Sequence, residues 1–360
     1  MLYIEEVLLD DVLKKGLSSF SFIDVRSPSE FLADHLPYAV NIPLLNDEER
    51  AIVGKIYKTK GVHSAKFKGI EIVSPKIPFL MNRVKNVVNK NKKDTIMYCW
   101  RGGDRSEAMV AFSKLAGLNV LKLKGGYKAF RKFVFNFFEC QLGFSYRPKT
   151  IVIYGPTGSA KTSFLRTLKL ENFPVIDLEG AAAHKGSTFG FIGEPDFKHV
   201  TQKSFETKIW KDFYISNYNN FVIVEGESKK IGKVTLPNSL YTLMKNGINI
   251  LVNPSIDFRV QYTLDNYLPY SDENSIFTAL SKIKKYLGYR KVTELYNYFK
   301  QKQYTDFVYN LLVNYYDPLY KKSLPNKIDY TVTYESIEEG LKNVKEILVS
   351  IFDNYTISNI

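Results

Sequence analysis

Apolar residues in this chain fall into short runs, each closed by a charged or glycine-rich turn. The run Phe20-Ser21-Phe22-Ile23-Asp24-Val25-Arg26 predicts a strand that ends in a charged turn. Ser27-Pro28-Ser29-Glu30 follows with the spacing of a capping box: a serine N-cap, proline at the first helical position and a glutamate three residues on. Further strands are predicted at Ala39–Pro43, Thr95–Tyr98 and Val120–Leu123, and a helix from Glu107 to Phe112. Strand and helix alternate throughout, which implies a parallel sheet with helices on both faces. The aromatic-rich run 130–138 predicts a closing helix. Beyond it, Thr150–Tyr154 begins a second alternation, with strands expected at Pro174–Glu179 and Phe221–Val224. The small, glycine-rich stretch from Gly180 to Gly190 is not expected to form an ordinary helix. Residues 82–93 read as a solvated helix face, and Asn46–Gly54 as a polar loop leading into a helix.

Composition narrows the possibilities. With 360 residues, two domains are expected, bounded as 1–138 and 149–360 with a linker at 139–148. No apolar run approaches the ~18 residues of a membrane span, and the N-terminus lacks a signal-peptide layout. A soluble, cytoplasmic protein without membrane partners is therefore expected. Two cysteines, Cys99 and Cys140, supply neither a disulfide framework nor a zinc site, and nothing calls for haem. Cys140 lacks arginine or glycine neighbours and is expected to pack. A net charge of +13 favours a polyanionic partner, nucleic acid above all. From Ser281 to Gln303, lysines and arginines interleave with tyrosines, a composition suited to phosphate neutralisation and base stacking.

Two stretches carry chemistry. In Cys99-Trp100-Arg101-Gly102-Gly103-Asp104-Arg105-Ser106 a thiol sits on a loop between a buried strand and a helix. The helix N-terminus, the loop amides and two arginines all favour a thiolate over a thiol. In Gly155-Pro156-Thr157-Gly158-Ser159-Ala160-Lys161-Thr162 a loop of P-loop type opens a helix. Its amides would hold a diphosphate, Lys161 would bridge the oxygens and Thr162 could ligate magnesium. Ala160 stands where a glycine is expected, which should be tolerated only at negative φ. Asp177 and Glu179, then Glu225 and Glu227, follow the next two strands, where carboxylates could hold magnesium or form charged turns.

The opening Asp24–Phe31 with His35–Pro43 resembles a rhodanese domain, a fold that carries sulfur on its loop cysteine. Rhodanese loops are usually Cys-x4-Arg; this one is Cys99-x5-Arg105, a wider anion cradle shared with related cysteine phosphatases. The order of both loops, with Asp177-Leu178-Glu179-Gly180, His184, Gly186-Ser187 and Glu225-Gly226-Glu227-Ser228, resembles the tRNA 2-selenouridine synthases, from about Asp24 to the Arg259 region. Ala160, Lys185 and Gly226 depart from that pattern. The resemblance implies an α/β chain: a rhodanese-like domain, then a P-loop NTPase-like domain with a helical C-terminal part. It implies conversion of wobble 2-thiouridine to 2-selenouridine through an S-geranyl intermediate, with geranyl diphosphate and selenophosphate as substrates. tRNA and a selenophosphate-supplying enzyme are then the partners. Cys99, Arg101 and Arg105 are expected to handle selenophosphate; Gly155, Gly158, Ser159, Lys161 and Thr162 the diphosphate. Asp24, Arg26, Trp100, Gly102, Gly103, Asp177, Glu179, His184, Ser187, Glu225, Glu227 and Arg259 are expected around the substrates or behind those residues. A cysteine phosphatase or sulfurtransferase fused to a nucleotide-binding domain is the alternative, and a P-loop switch on an RNA-binding surface a further rival.

Overall fold

The computed structural model describes residues 4–357 of the chain, which divides into two compact units. One comprises Met1–Phe137 with Glu206–Lys208; the other comprises Phe138–Phe205 with Ile209–Ile360. In chain order the first holds β1 (Glu6–Val7), α1 (Leu9–Lys15), β2 (Phe20–Asp24), α2 (Pro28–Ala33), β3 (Ala39–Asn41), α3 (Asp47–Val73), α4 (Ile77–Asn91), β4 (Asp94–Tyr98), α5 (Asp104–Leu115), β5 (Leu121–Leu123) and α6 (Gly126–Asn136). Its five strands form one parallel sheet in the order β1-β5-β4-β2-β3. Ile23, Val25, Met97, Val84, Met109 and Val110 fill the space between the sheet and its helices.

Local chemistry explains the element ends. Ser27 and Glu30 make the capping box of α2, with Pro28 at its first position. Asn46 and Glu49 do the same for α3, which runs 27 residues and breaks at Gly61 (φ 82°, ψ 177°). α4 buries Leu80, Met81 and Val84 and turns Asn82, Lys85 and Asn86 to solvent, the solvated face expected there. α5 begins at Asp104, three residues before the predicted start, because Gly103 serves as its N-cap. Cys140 is exposed rather than packed, since the wide turn Phe137–Gln141 after α6 buries Phe137 and Phe138 instead.

The chain continues with β6 (Lys149–Tyr154), α7 (Lys161–Leu170), β7 (Val175–Ile176), α8 (Leu178–Ala182), α9 (Gln202–Ile215), β8 (Phe221–Glu225), β9 (Lys230–Ile231), β10 (Val234–Thr235), α10 (Asn238–Lys245) and β11 (Ile248–Val252). After these come α11 (Ile256–Tyr267), α12 (Glu273–Leu287), α13 (Tyr289–Lys300), α14 (Tyr304–Leu311), α15 (Asp317–Ser323), β12 (Tyr330–Val332) and α16 (Ile337–Ile357). A second parallel sheet has the order β12-β11-β6-β8-β7, and β9 and β10 pair as a separate antiparallel ribbon. Its core joins Ile151, Ile153, Phe164, Ile223, Ile250 and Leu348. A helical cluster around Ala279, Leu280, Ile283 and Leu312 lies between β11 and β12, so the expected helical C-terminal part is followed by a return to the sheet in β12 and α16. β7 is shorter than the predicted strand. Asp177 leaves it to cap α8, accepting the Gly180 amide at 2.7 Å, so the glycine-rich stretch opens with one short helix after all.

In a parallel sheet the carboxyl ends of all strands share one edge, so the loops after β6, β7 and β8 converge. The same rule places the loop after β4 at the functional edge of the first sheet. No helix among the described residues is long and apolar enough to cross a membrane.

Beneath the β4 loop, Asp24 and Arg26 are buried together. Arg26 Nε lies 3.0 Å from Asp24 Oδ1 and Nη2 2.6 Å from Oδ2, and Nη2 also donates to the Asp34 carbonyl at 2.7 Å. Removing the guanidinium leaves a buried, unpaired carboxylate. We expect Arg26→Leu to cost about 3–5 kcal/mol in urea unfolding; a loss below ~1 kcal/mol would show that the pair holds nothing in place.

Candidate functional site

Cys99 follows β4 and is 3% exposed, its Sγ 3.2 Å from Ser106 Oγ and 3.7 Å from the Gly103 carbonyl. The loop is pressed against the start of α6. The Tyr127 amide donates to the Cys99 carbonyl at 2.9 Å and the Lys128 amide to the Trp100 carbonyl at 2.9 Å. This closeness requires glycine at two places. A Cβ on Gly102 (φ 69°) would lie 2.8 Å from the Leu123 carbonyl, and one on Gly126 (φ 57°) would strike the Cys99 carbonyl. Arg26 supports the arrangement from below, 4.0 Å from the Tyr127 ring centre, and the Trp100 and Tyr127 rings are 5.1 Å apart. Burial opposes the charge on Arg26, but the Asp24 hydrogen bonds outweigh it and hold the guanidinium pKa above its ordinary value.

The two loop arginines part company. Arg101 is exposed at the loop surface. Arg105 is paired with Glu30, Nη1 to Oε2 at 2.6 Å, and the same carboxylate takes Arg50 at 3.1 Å. Burial would raise the Glu30 pKa, yet Arg105 pulls it below the usual carboxylate range. Arg105 thus braces α5 against the cap of α2.

In the second unit the loop after β6 wraps the N-terminus of α7. Gly158 (φ 84°) has no room for a Cβ, which would meet the Arg259 carbonyl at 2.8 Å. Ala160 is not held at negative φ. It adopts φ 57°, ψ 18°, a left-handed conformation that costs an alanine roughly 1–2 kcal/mol. The neighbours impose it: the Tyr334 hydroxyl donates to the Ser159 carbonyl, Arg259 Nε donates to the Thr157 carbonyl at 2.9 Å, and Ala160 is 3% exposed. Arg259 forks onto Asp317 at 2.6 and 3.1 Å and is itself buried, so it buttresses the loop.

Lys161 Nζ donates to the Gly155 carbonyl at 2.6 Å, and Thr162 Oγ1 to Glu179 Oε2 at 2.7 Å. The Glu179 amide donates to Glu225 Oε1 at 2.5 Å, while Glu225 Oε2 is buried without a partner. Glu225 carries a pKa well above its ordinary value, through burial and the charges of Asp177 and Glu179. Burial, and then Glu179, push Glu227 up to about 8 against the pull of Lys161. Ser159 Oγ is likewise buried without a partner, a donor left for an anion's oxygen. No three His, Cys, Asp or Glu side chains among the described residues form a metal cluster. A magnesium ion carried in on a phosphate would meet the Thr162 hydroxyl and Glu179, and there it would offset the acidic charge.

These residues line a cleft of about 860 Å³, within the range of small-molecule sites. Gly155, Gly158, Ser159, Lys161, Thr162, Glu179, Ser187 and Glu227 all face it. Asp177, Glu225 and His184 are not among its described lining residues. His184 packs on Phe197 with ring centres 5.2 Å apart, and Gly190 and Gly232 close over it; burial and then Lys282 lower its pKa. It packs outside the described lining of the cleft, and its Nδ1 is buried without a partner.

The cleft also uses residues that sequence reasoning passed over. Arg166 lies one helical turn beyond Thr162, a spacing that could have flagged it. Tyr154, Tyr241, Tyr262 and Tyr320, with Met244 and Leu319, make an aromatic and apolar wall drawn from four elements, which no local pattern announces. Tyr154 lies flat against Gly226, where any side chain would strike its ring.

Comparison with known proteins identifies this combination. The tRNA 2-selenouridine synthase AAA domain model matches residues 148–349 and the rhodanese-like domain model residues 9–133. The chain is 32% identical to the tRNA 2-selenouridine synthase of Hydrogenovibrio crunogenus over 92% of its own length and 98% of that protein. It belongs to the tRNA 2-selenouridine synthase family. The enzyme of that name from Sulfurovum is 31% identical, with 91% and 96% covered, and that of Nitrosomonas europaea 35% identical, with 73% and 67% covered. The chain is therefore an enzyme of tRNA modification, built as a rhodanese-like domain followed by a P-loop α/β domain.

The raised pKa of Glu227 has a consequence for stability. The folded state keeps this proton to higher pH than the unfolded chain, so stability is full below about pH 4.5 and is lost as pH rises through about 8. In metal-free buffer, Glu227→Gln should flatten the fall of stability between about pH 4.5 and 8, by on the order of 1 kcal/mol per pH unit. Identical pH profiles of the thermal midpoint in both proteins would contradict this assignment.

Proposed function

We propose that the chain converts wobble 2-thiouridine of tRNA to 2-selenouridine in two steps, with geranyl diphosphate and selenophosphate as co-substrates. What supports the first step is the make-up of the cleft: the phosphate-binding loop with Lys161 and Thr162 lines it together with Tyr154, Tyr241, Tyr262, Tyr320, Met244 and Leu319. The loop suits a diphosphate, and the aromatic and aliphatic side chains beside it suit a geranyl chain. The sulfur of 2-thiouridine attacks C1 of the geranyl group, the C1–O bond breaks, diphosphate departs and the N3 proton is released. Lys161 and the loop amides stabilise the charge that grows on the leaving diphosphate.

The second step replaces sulfur. A thiocarbonyl is a poor leaving group, whereas S-alkylation allows geranylthiol to depart. Selenium of selenophosphate attacks C2, the C2–S bond breaks, and transfer of the phosphoryl group to water leaves the C2 selenocarbonyl. Cys99 is assigned here as selenium carrier or activator of selenophosphate. Arg101 and the loop amides are available to its phosphate, and Arg105 reaches it once released from Glu30.

The steps separate experimentally. Lys161→Ala should lose geranylation of 2-thiouridine tRNA by 100-fold or more, as removal of a charge-stabilising donor costs roughly 10²–10³. It should still selenate tRNA supplied already geranylated; unchanged geranylation would refute the diphosphate assignment. Cys99→Ser, given geranylated tRNA and selenophosphate, should form no 2-selenouridine by nucleoside mass spectrometry. Full product formation would refute an essential thiol.

A further inference from the structure

We propose that α3 is a docking surface for the tRNA backbone, leading the strand to the Cys99 loop; this rests on tRNA being the substrate. From Arg50 to Ile70 the helix carries Arg50, Lys55, Lys58, Lys60, Lys66 and Lys68 and no aspartate or glutamate. It lacks the apolar stripe that would pack a helix of this length into a core, since only Ala65 and Val73 are buried along it. Two of its aromatics face solvent instead, Tyr57 at 57% and Phe67 at 69% exposure.

Both halves of the helix reach the rim of the Cys99 loop. Lys66 Nζ is 3.1 Å from Oδ1 of Asp104, the first residue of α5, and Arg50 shares the Glu30 carboxylate with Arg105. Lys55, Lys58 and Lys60 are exposed and form no ion pair among the described residues. Exposed cations between exposed rings are what a single-stranded RNA segment selects, the charges for phosphates and the rings for unstacked bases. A second copy of this chain is the poorer occupant, because it would set one row of unopposed lysines against another.

The test is Lys55→Ala/Lys58→Ala/Lys60→Ala in the full chain, with tRNA affinity measured from about 50 to 200 mM salt. Each lost phosphate contact removes roughly 0.7–0.9 from the slope of log affinity against log salt, so the slope should fall by about 2–3. Affinity at low salt should drop about tenfold or more, and the thermal midpoint should not move. Phe67→Ala should weaken binding without changing the slope. An unchanged slope and affinity in the triple variant overturn the proposal. So does a wild-type dimer that dissociates in the triple variant while tRNA binding is kept. If the wild type binds no tRNA, the substrate reading itself fails, a result distinct from wild type and variant binding alike.

Discussion

Arg26 and Arg259 do the same job in the two units. Each buries a guanidinium under a reactive loop and forks it onto a carboxylate, Asp24 in one case and Asp317 in the other. An arginine cannot shed its charge when buried, so it must take a partner with it, and its planar fork fixes that partner's position. The remaining donors then reach loop carbonyls or rings: the Thr157 carbonyl above Arg259, the Tyr127 ring above Arg26. The shape of each loop is thereby held from below, without drawing on the loop's own amides. Breaking either fork strands a buried carboxylate, which ties the loops to folding as well as to chemistry.

The supports also explain which parts of the site could be read from the chain. The strand–thiol–helix order around Cys99 and the loop before Lys161 were legible because glycine spacing and helix starts are local signals. The capping box of α2 was legible for the same reason, whereas that of α3, Asn46 with Glu49, was passed over as a polar loop. Arg105 looked like an anion ligand by neighbourhood, and Arg259 was expected only somewhere around the substrates or behind the loop residues. Their partners, Glu30 and Asp317, lie 75 and 58 residues away, and no local pattern couples them. Ala160 misled in the opposite direction. Intrinsic preference placed it at negative φ, but Tyr334, 174 positions further on, helps hold the loop where that preference is overruled. The tyrosine wall of the cleft was invisible because it is assembled from separate elements.

Acidic charge in the cleft is handled by a different device. Glu179 and Glu227 line the cleft with the phosphate loop, and Glu225 lies behind them, accepting the Glu179 amide; such a place should repel a diphosphate. Burial and the neighbouring acids raise the pKa of Glu225 and Glu227, which favours the neutral form of each and lessens that cost. In that state the net field at the loop is set by Lys161, Arg166 and the α7 amides, all favourable to an anion. A divalent cation arriving with its phosphates would reverse the balance, favouring release of those protons and binding of the ionised acids. Protonation and cation entry are thus alternatives for the same electrostatic problem.

The excess positive charge can be weighed in the same way. Some of the chain's basic side chains are committed: Arg26, Arg105 and Arg259 to carboxylates, Lys161 to the Gly155 carbonyl. Other cations are exposed on long helices, among them Lys55, Lys58 and Lys60 on α3 and those of the α12–α13 pair, where Lys284 lies 4.5 Å from the centre of the Tyr289 ring. The arginines that support the two loops, Arg26 and Arg259, are few, buried and held by geometry. Those suited to a polymer are many, exposed and mobile enough to follow it, because counterion release rewards number rather than position. A tRNA-modifying enzyme needs both kinds, and this chain keeps them on different surfaces: the arginines beneath its loops, the lysines along its helices.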